Sequence, residues 1–154
     1  MSKKARLGLM ALTVAALVLA LTIPAFATQP EGFVIDFEVK SADWDAGTSE
    51  GKFTSEGFIK DKGTFSTFTD PVTPGLGWHI TQTLYGKDGS ITVKWNATRW
   101  YNPDCYRYIA GNFSIESGTG AYENLQGGGD MELCRPGTAD YMYGTLEGDA
   151  HIEQ

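Results

Sequence analysis

Phe33-Val34-Ile35-Asp36-Phe37-Glu38-Val39 is the stretch that decides the fold. Its odd positions are all apolar and two of its three even ones are acidic, the period of a half-buried strand and not of an amphipathic helix. The same period returns downstream. Trp78, Ile80 and Leu84 alternate with His79, Thr81 and Thr83, and Ile91, Val93, Trp95 and Ala97 alternate with Thr92, Lys94, Asn96 and Thr98. Gly86-Lys87-Asp88-Gly89 between them is a tight-turn sequence. Ile109, Gly111, Phe113 and Ile115 oppose Ala110, Asn112, Ser114 and Glu116, while Met131 and Leu133 oppose Asp130 and Glu132. A last strand from about Tyr141 to Ile152 puts Met142, Gly144, Leu146, Gly148, Ala150 and Ile152 on one face. Two shorter runs, about Phe53 to Lys60 and Thr64 to Thr69, joined by Asp61-Lys62-Gly63, bring the count to eight.

Eight strands with short links, one apolar face each and no convincing helix predict an all-β, eight-stranded antiparallel up-and-down barrel. Lys40 to Gly51, Asp70 to Gly77 (with Pro71 and Pro74) and Tyr101 to Asp104 read as irregular rim loops. The inward face would carry Trp78, Ile80, Trp95, Phe113 and Leu146, the candidate ligand-binding residues. Glycines on that face (Gly57, Gly111, Gly144, Gly148) either let the large rings fill the core or leave a cavity, and a filled core is the reading preferred here.

Ahead of this domain, Lys3, Lys4 and Arg6 precede an apolar stretch from Leu7 to Ile23, then Pro24 and Ala25-Phe26-Ala27. That order of zones is a signal peptide over residues 1–27, cleaved before Thr28, leaving one domain over 28–154 and no stable membrane span. The expected location is secreted or periplasmic. The leader holds three basic residues and no acidic ones, so nine Lys plus Arg face 19 Asp plus Glu in the mature chain, a formal charge of −10. Such a field argues against nucleic acid and anionic membranes as partners.

Cys105 and Cys134 are the only cysteines, and an even count in an exported chain predicts a disulfide. They lie symmetrically about Thr119 and Gly120, inside the glycine-rich segment Ser117 to Tyr122. A hairpin there would set the sulfurs opposite each other, closing a loop of about 29 residues for roughly 3 to 4 kcal/mol.

The run from Gly111 to Gly129, with Gly118-Thr119-Gly120-Ala121-Tyr122 followed by Leu125-Gln126-Gly127-Gly128-Gly129, resembles the allene oxide cyclase and dirigent-like barrel group. Leu84-Tyr85-Gly86, Gly89 to Val93 and Tyr143 to Gly148 are similar to that group's flanking strands, so the resemblance covers about the C-terminal half. It implies a calycin-like barrel and, from plant members, a possible homotrimer. The family's cyclase chemistry is not carried over, because its interior polar positions have no residue-by-residue match here.

Few constellations point to chemistry. Asp149 and His151, two apart on one strand, lack a third ligand, and His79 stands alone, so no metal and no cofactor is expected. Trp100, Tyr101, Tyr106, Tyr108, Tyr141, Tyr143 and, more distantly, Tyr122 would gather at one end of the sheet and could bind sugars or a protein. Asn96-Ala97-Thr98 and Asn112-Phe113-Ser114 match glycan acceptor sites. Three functions compete: a binding module for a small apolar or amphipathic molecule, an isomerase or cyclase acting on a lipid-derived substrate, and an interaction or structural protein using the Tyr-rich rim. The enzyme would need an ionisable group inside, where Gln82, Ser55 and, after a register shift, Glu132 are the nearest polar residues. Binding without catalysis is the expected activity.

Overall fold

The structure, a computed structural model, describes residues 29–43, 45–70, 77–137, 139 and 141–153. The leader and its cleavage point therefore lie outside the described residues. Eight strands follow in order: β1 (Glu31–Asp43), β2 (Thr48–Gly57), β3 (Lys62–Asp70), β4 (Trp78–Gly86), β5 (Ser90–Asn102), β6 (Cys105–Gly118), β7 (Leu125–Arg135) and β8 (Met142–Ile152). Each pairs antiparallel with its neighbour in sequence, and β1 also pairs with β8, closing an up-and-down barrel. Closure leaves each of the eight strands hydrogen-bonded to a neighbour on both sides over most of its length.

The alternation read from sequence is the alternation of burial. Phe33, Ile35, Phe37 and Val39 are buried on β1, with Asp36 and Glu38 exposed between them. Cross-strand pairs stack these faces into layers: Phe37 lies opposite Phe53 on one side and Gly144 on the other, and Trp95 opposite Ile80 and Phe113. Gly144 is required where it stands, because a Cβ there would collide with the Phe37 ring and the Glu132 carbonyl; Gly51 accommodates the Phe65 ring in the same way.

Three predicted boundaries are corrected. Lys40 to Gly51 is mostly strand, since the β1–β2 ladder continues through Ser41↔Glu50 and Asp43↔Thr48. Residues polar on both faces hide that extension from a hydrophobic pattern. Tyr101 and Asn102 belong to β5, leaving Pro103 and Asp104 as the turn. β2 stops at Gly57, and Lys62 and Gly63 are already in β3, because Ile59 leaves the wall and turns in to become 1% exposed.

That inward turn helps seal one end of the barrel. The links β2–β3, β4–β5 and β6–β7 meet there, the last containing a 3-10 turn over Gly120–Tyr122. Asp61 ties them together. Its carboxylate accepts N–H bonds from Lys62 (2.7 Å), Lys87 (3.0 Å) and Asp88 (3.2 Å), and the hydroxyl of Tyr122 at 3.0 Å. Ser55 completes the knot: its Oγ accepts from the Asp61 amide at 2.9 Å and donates to the Asp61 carbonyl at 3.1 Å. Burial raises the Asp61 carboxyl, but the three amides and the phenol outweigh it and hold its pKa below the ordinary value. Burial and the Asp61 charge push the Tyr122 phenol well up. Ile59, Tyr122 and Leu125 plug the space beneath.

The opposite end holds the last residues of β1, β3, β5 and β7, the first of β2, β4, β6 and β8, and the disulfide. Cys105 and Cys134 are joined, with Cα atoms 5.5 Å apart. The pair is the predicted one, but the register is not: Cys134 lies opposite Tyr108, because the β6–β7 ladder is centred on Ala121. Cys105 reaches it from the tip of the β5–β6 hairpin, where it pairs with Asn102. A buried disulfide is consistent with an oxidising compartment.

Candidate functional site

The two halves of the barrel interior differ. Toward the sealed end Phe33 meets Phe113 edge-on at 6.0 Å, and Ile35, Leu125, Met131 and Leu146 are each at most 1% exposed, so that half is filled. Toward the disulfide end the side chains stop short of filling the space, and a cavity of about 320 Å³ remains. This is at the lower end of the range for small-molecule sites.

Phe37, Phe65, Trp78 and Trp95 supply four aromatic rings to the wall, with Val39, Ile80, Ile109, Leu133 and Met142 between them. Phe37 packs edge-on against Phe65 at 5.5 Å and tilted against Trp95 at 5.4 Å, so these three rings form one continuous cluster. Gly51 and Gly144 make room for the Phe65 and Phe37 rings to lie back against the wall. Thr48, Ser49, Thr67 and Thr69 give the β2–β3 side a hydroxyl lining, with the Ser49 and Thr67 hydroxyls bonded to each other at 2.6 Å. The cavity reaches solvent past Thr48 and Arg99, both exposed.

Of the five predicted ligand-binding residues, Trp78, Ile80 and Trp95 line this cavity, whereas Phe113 and Leu146 lie in the filled half. The prediction of a filled interior is thus correct for one half only. Gln82, on the inner face of β4, is fully buried, and neither its amide oxygen nor its nitrogen has a hydrogen-bond partner. The buried indole N–H of Trp95, diagonal to Gln82 across the β4–β5 ladder, has none either. Ser55 is buried but satisfied by Asp61, and Glu132 stays outside, where it bonds the Tyr108 phenol and, with burial, raises it.

Among the lining residues that the sequence reading did not single out are two arginines, Arg99 and Arg107. Arg99 shares the odd-numbered inward face of Ile91, Val93, Trp95 and Ala97, and Arg107 that of Ile109, so parity carried the signal. Both were passed over because the inward face was read from apolar residues. Arg99 pairs with Ile109, placing Arg107 on its diagonal, and Arg107 pairs with Arg135. Three of the four arginines in the sequence therefore stand side by side at one rim of an acidic barrel. Arg135 turns away, its Nε donating to the Ala139 carbonyl at 2.8 Å and its guanidinium lying 5.8 Å above the Tyr106 ring. Among the described residues, no Asp or Glu lines the cavity.

A broader depression of about 820 Å³ lies on the outer wall, between Asp36, Glu38, Lys52, Thr64, Tyr141 and Tyr143. Its lining is mostly the solvated face of β1, β2, β3 and β8, so volume alone is misleading; the ring-lined cavity inside the barrel is the better candidate. Trp100, Tyr101, Tyr106, Tyr141 and Tyr143 are exposed, forming the predicted aromatic rim near the disulfide. Tyr122 is corrected out of that group, since it is buried at the sealed end on Asp61. His79 bonds Asn96 at 2.7 Å between Nδ1 and Oδ1 on the outer wall, and no trio of His, Cys, Asp or Glu able to hold a metal gathers among the described residues. Among those residues no helix is long and apolar enough to cross a membrane.

No family model, no curated protein and no solved structure matches this chain.

Proposed function

We propose that this chain is an exported, non-catalytic barrel protein of allene oxide cyclase-like type that holds a small apolar or amphipathic molecule in the cavity at its disulfide end. The observation that carries the reading is a ring-lined cavity, about 320 Å³, left empty of side chains in a barrel whose other half is packed. Natural interiors pack to crystal-like density, so leaving this space unfilled forfeits dispersion and burial that a ligand would restore. Export is supported by the zone order of residues 1–27 and by the disulfide. An isomerase would need a general acid or base beside its substrate, and among the described residues the buried polar side chains are the neutral Ser55 and Gln82, which supports binding ahead of catalysis.

The exposed rim favours a second reading, adhesion to another macromolecule, because Tyr101 is 91% exposed and Trp100 61%. One comparison separates the two. A hydrophobic fluorescent probe titrated into the folded mature protein is expected to saturate at about one site per barrel. Trp78→Ala in the cavity wall should weaken that binding far more than Tyr143→Ala on the outer wall. An equal effect of the two variants, or the absence of saturation, would refute the cavity reading.

A further inference from the structure

The cavity has a polarity: rings inside, guanidinium at the rim. Arg99 and Arg107 both line it, they are diagonal neighbours on the β5–β6 ladder, and Arg135 stands opposite Arg107. Arg99 stands exposed at the mouth, and no Asp or Glu lines the cavity among the described residues. A guanidinium fork matches a carboxylate bidentately, and one placed over an apolar, low-dielectric wall holds an anion more strongly than one in open water. The wall favours rings over an extended chain. Four aromatic side chains surround a small space, and the Phe65–Phe37–Trp95 cluster is already built from edge-on and tilted contacts that a further ring would extend. The unpartnered Trp95 indole N–H adds a buried donor beside the same wall.

From these features we infer that the ligand is a compact aromatic carboxylate, its rings seated among Phe37, Phe65, Trp78 and Trp95 and its carboxylate read at the rim by Arg99. The inference rests on the binding function proposed above and goes on to name the ligand class.

The test uses the mature, disulfide-intact protein with three probes: naphthoate, naphthalenemethanol and decanoate, followed by calorimetric titration. Naphthoate is expected to bind at one site per barrel, at least about tenfold more tightly than the alcohol, and more tightly than decanoate. Arg99→Gln should abolish the preference for carboxylate over alcohol while leaving alcohol binding within about twofold, and Arg99→Lys should retain part of it. Thermal unfolding of each variant checks that the barrel is intact, which the exposure of Arg99 favours. Equal affinity for naphthoate and the alcohol, or a preference that survives Arg99→Gln, overturns the anion-reading role but leaves the binding function standing. Tighter binding of decanoate overturns the aromatic assignment. Failure of all three probes overturns both the inference and the binding function beneath it.

Discussion

Asp61 illustrates how much of this fold can hang on one side chain. It is a short acid in a link, yet it joins three links through Lys62, Lys87, Asp88 and Tyr122. Its folded pKa lies below its ordinary 3.8, so the stability it contributes is present above that pH and is lost as pH falls through the folded value. Tyr122 has the opposite sign: its phenol is raised from 10.0, so its contribution is intact below pH 10 and lost as pH rises through the folded value. Asp61→Asn is expected to cost about 1 to 3 kcal/mol near neutral pH, the usual scale for hydrogen bonds to a charged group. Urea unfolding across pH should show that difference shrinking below 3.8. Tyr122→Phe should cost about 1 kcal/mol and remove part of the loss above pH 10. A pH-independent cost for Asp61→Asn would show that the carboxylate charge is not what holds the sealed end. At the cavity, Trp95→Ala should reduce probe binding more than Tyr143→Ala, but Trp95 is 2% exposed and its truncation also costs about 3 to 5 kcal/mol of stability. Trp78, only partly buried, is the cleaner probe of the wall.

At the scale of elements, the disulfide fastens the β5–β6 hairpin tip to the end of β7. It spans 29 residues, so in the chain-entropy model its reduction should lower stability by about 3 to 4 kcal/mol. Denaturant unfolding with and without reductant measures this, and a loss under about 1 kcal/mol would mean the ladder alone holds the tip. The strands themselves were legible wherever one face was apolar: the alternation of β1, β4, β5 and β8 in the sequence is their burial in the barrel. What was not legible has a common cause. The far ends of β1 and β5 and the start of β2 have no apolar face set against a polar one, so no hydrophobic alternation marks them. Arg99 and Arg107 fell in or beyond such ends, and inward guanidinium groups contradict the usual rule that inside means apolar. The division of the interior into filled and hollow halves was also invisible. It depends on where Ile59 and Tyr122 turn in and on how the Phe37 and Phe65 rings lean against Gly144 and Gly51.

The whole molecule is a barrel with two unlike ends, one tied shut through Asp61 and one lined with aromatic rings beneath arginines. For the proposed exported protein, the chain recovered outside the cytoplasm should begin at Thr28, and N-terminal sequencing that finds Met1 or Ser2 instead would contradict cleavage. The central claim is that a ligand enters the ring-lined half of the barrel, and it predicts which tryptophans sense it. The sequence has four tryptophans; Trp78 and Trp95 line the cavity, and Trp100 is exposed on the hairpin. The most direct measurement is the set of indole N–H resonances of the 15N-labelled mature protein during titration with naphthoate. The resonances of Trp78 and Trp95 should shift together and saturate at one ligand per barrel, while that of Trp100 stays in place. Saturating shifts at Trp100 with Trp78 and Trp95 unmoved, or no saturating shift at any indole, would contradict the claim.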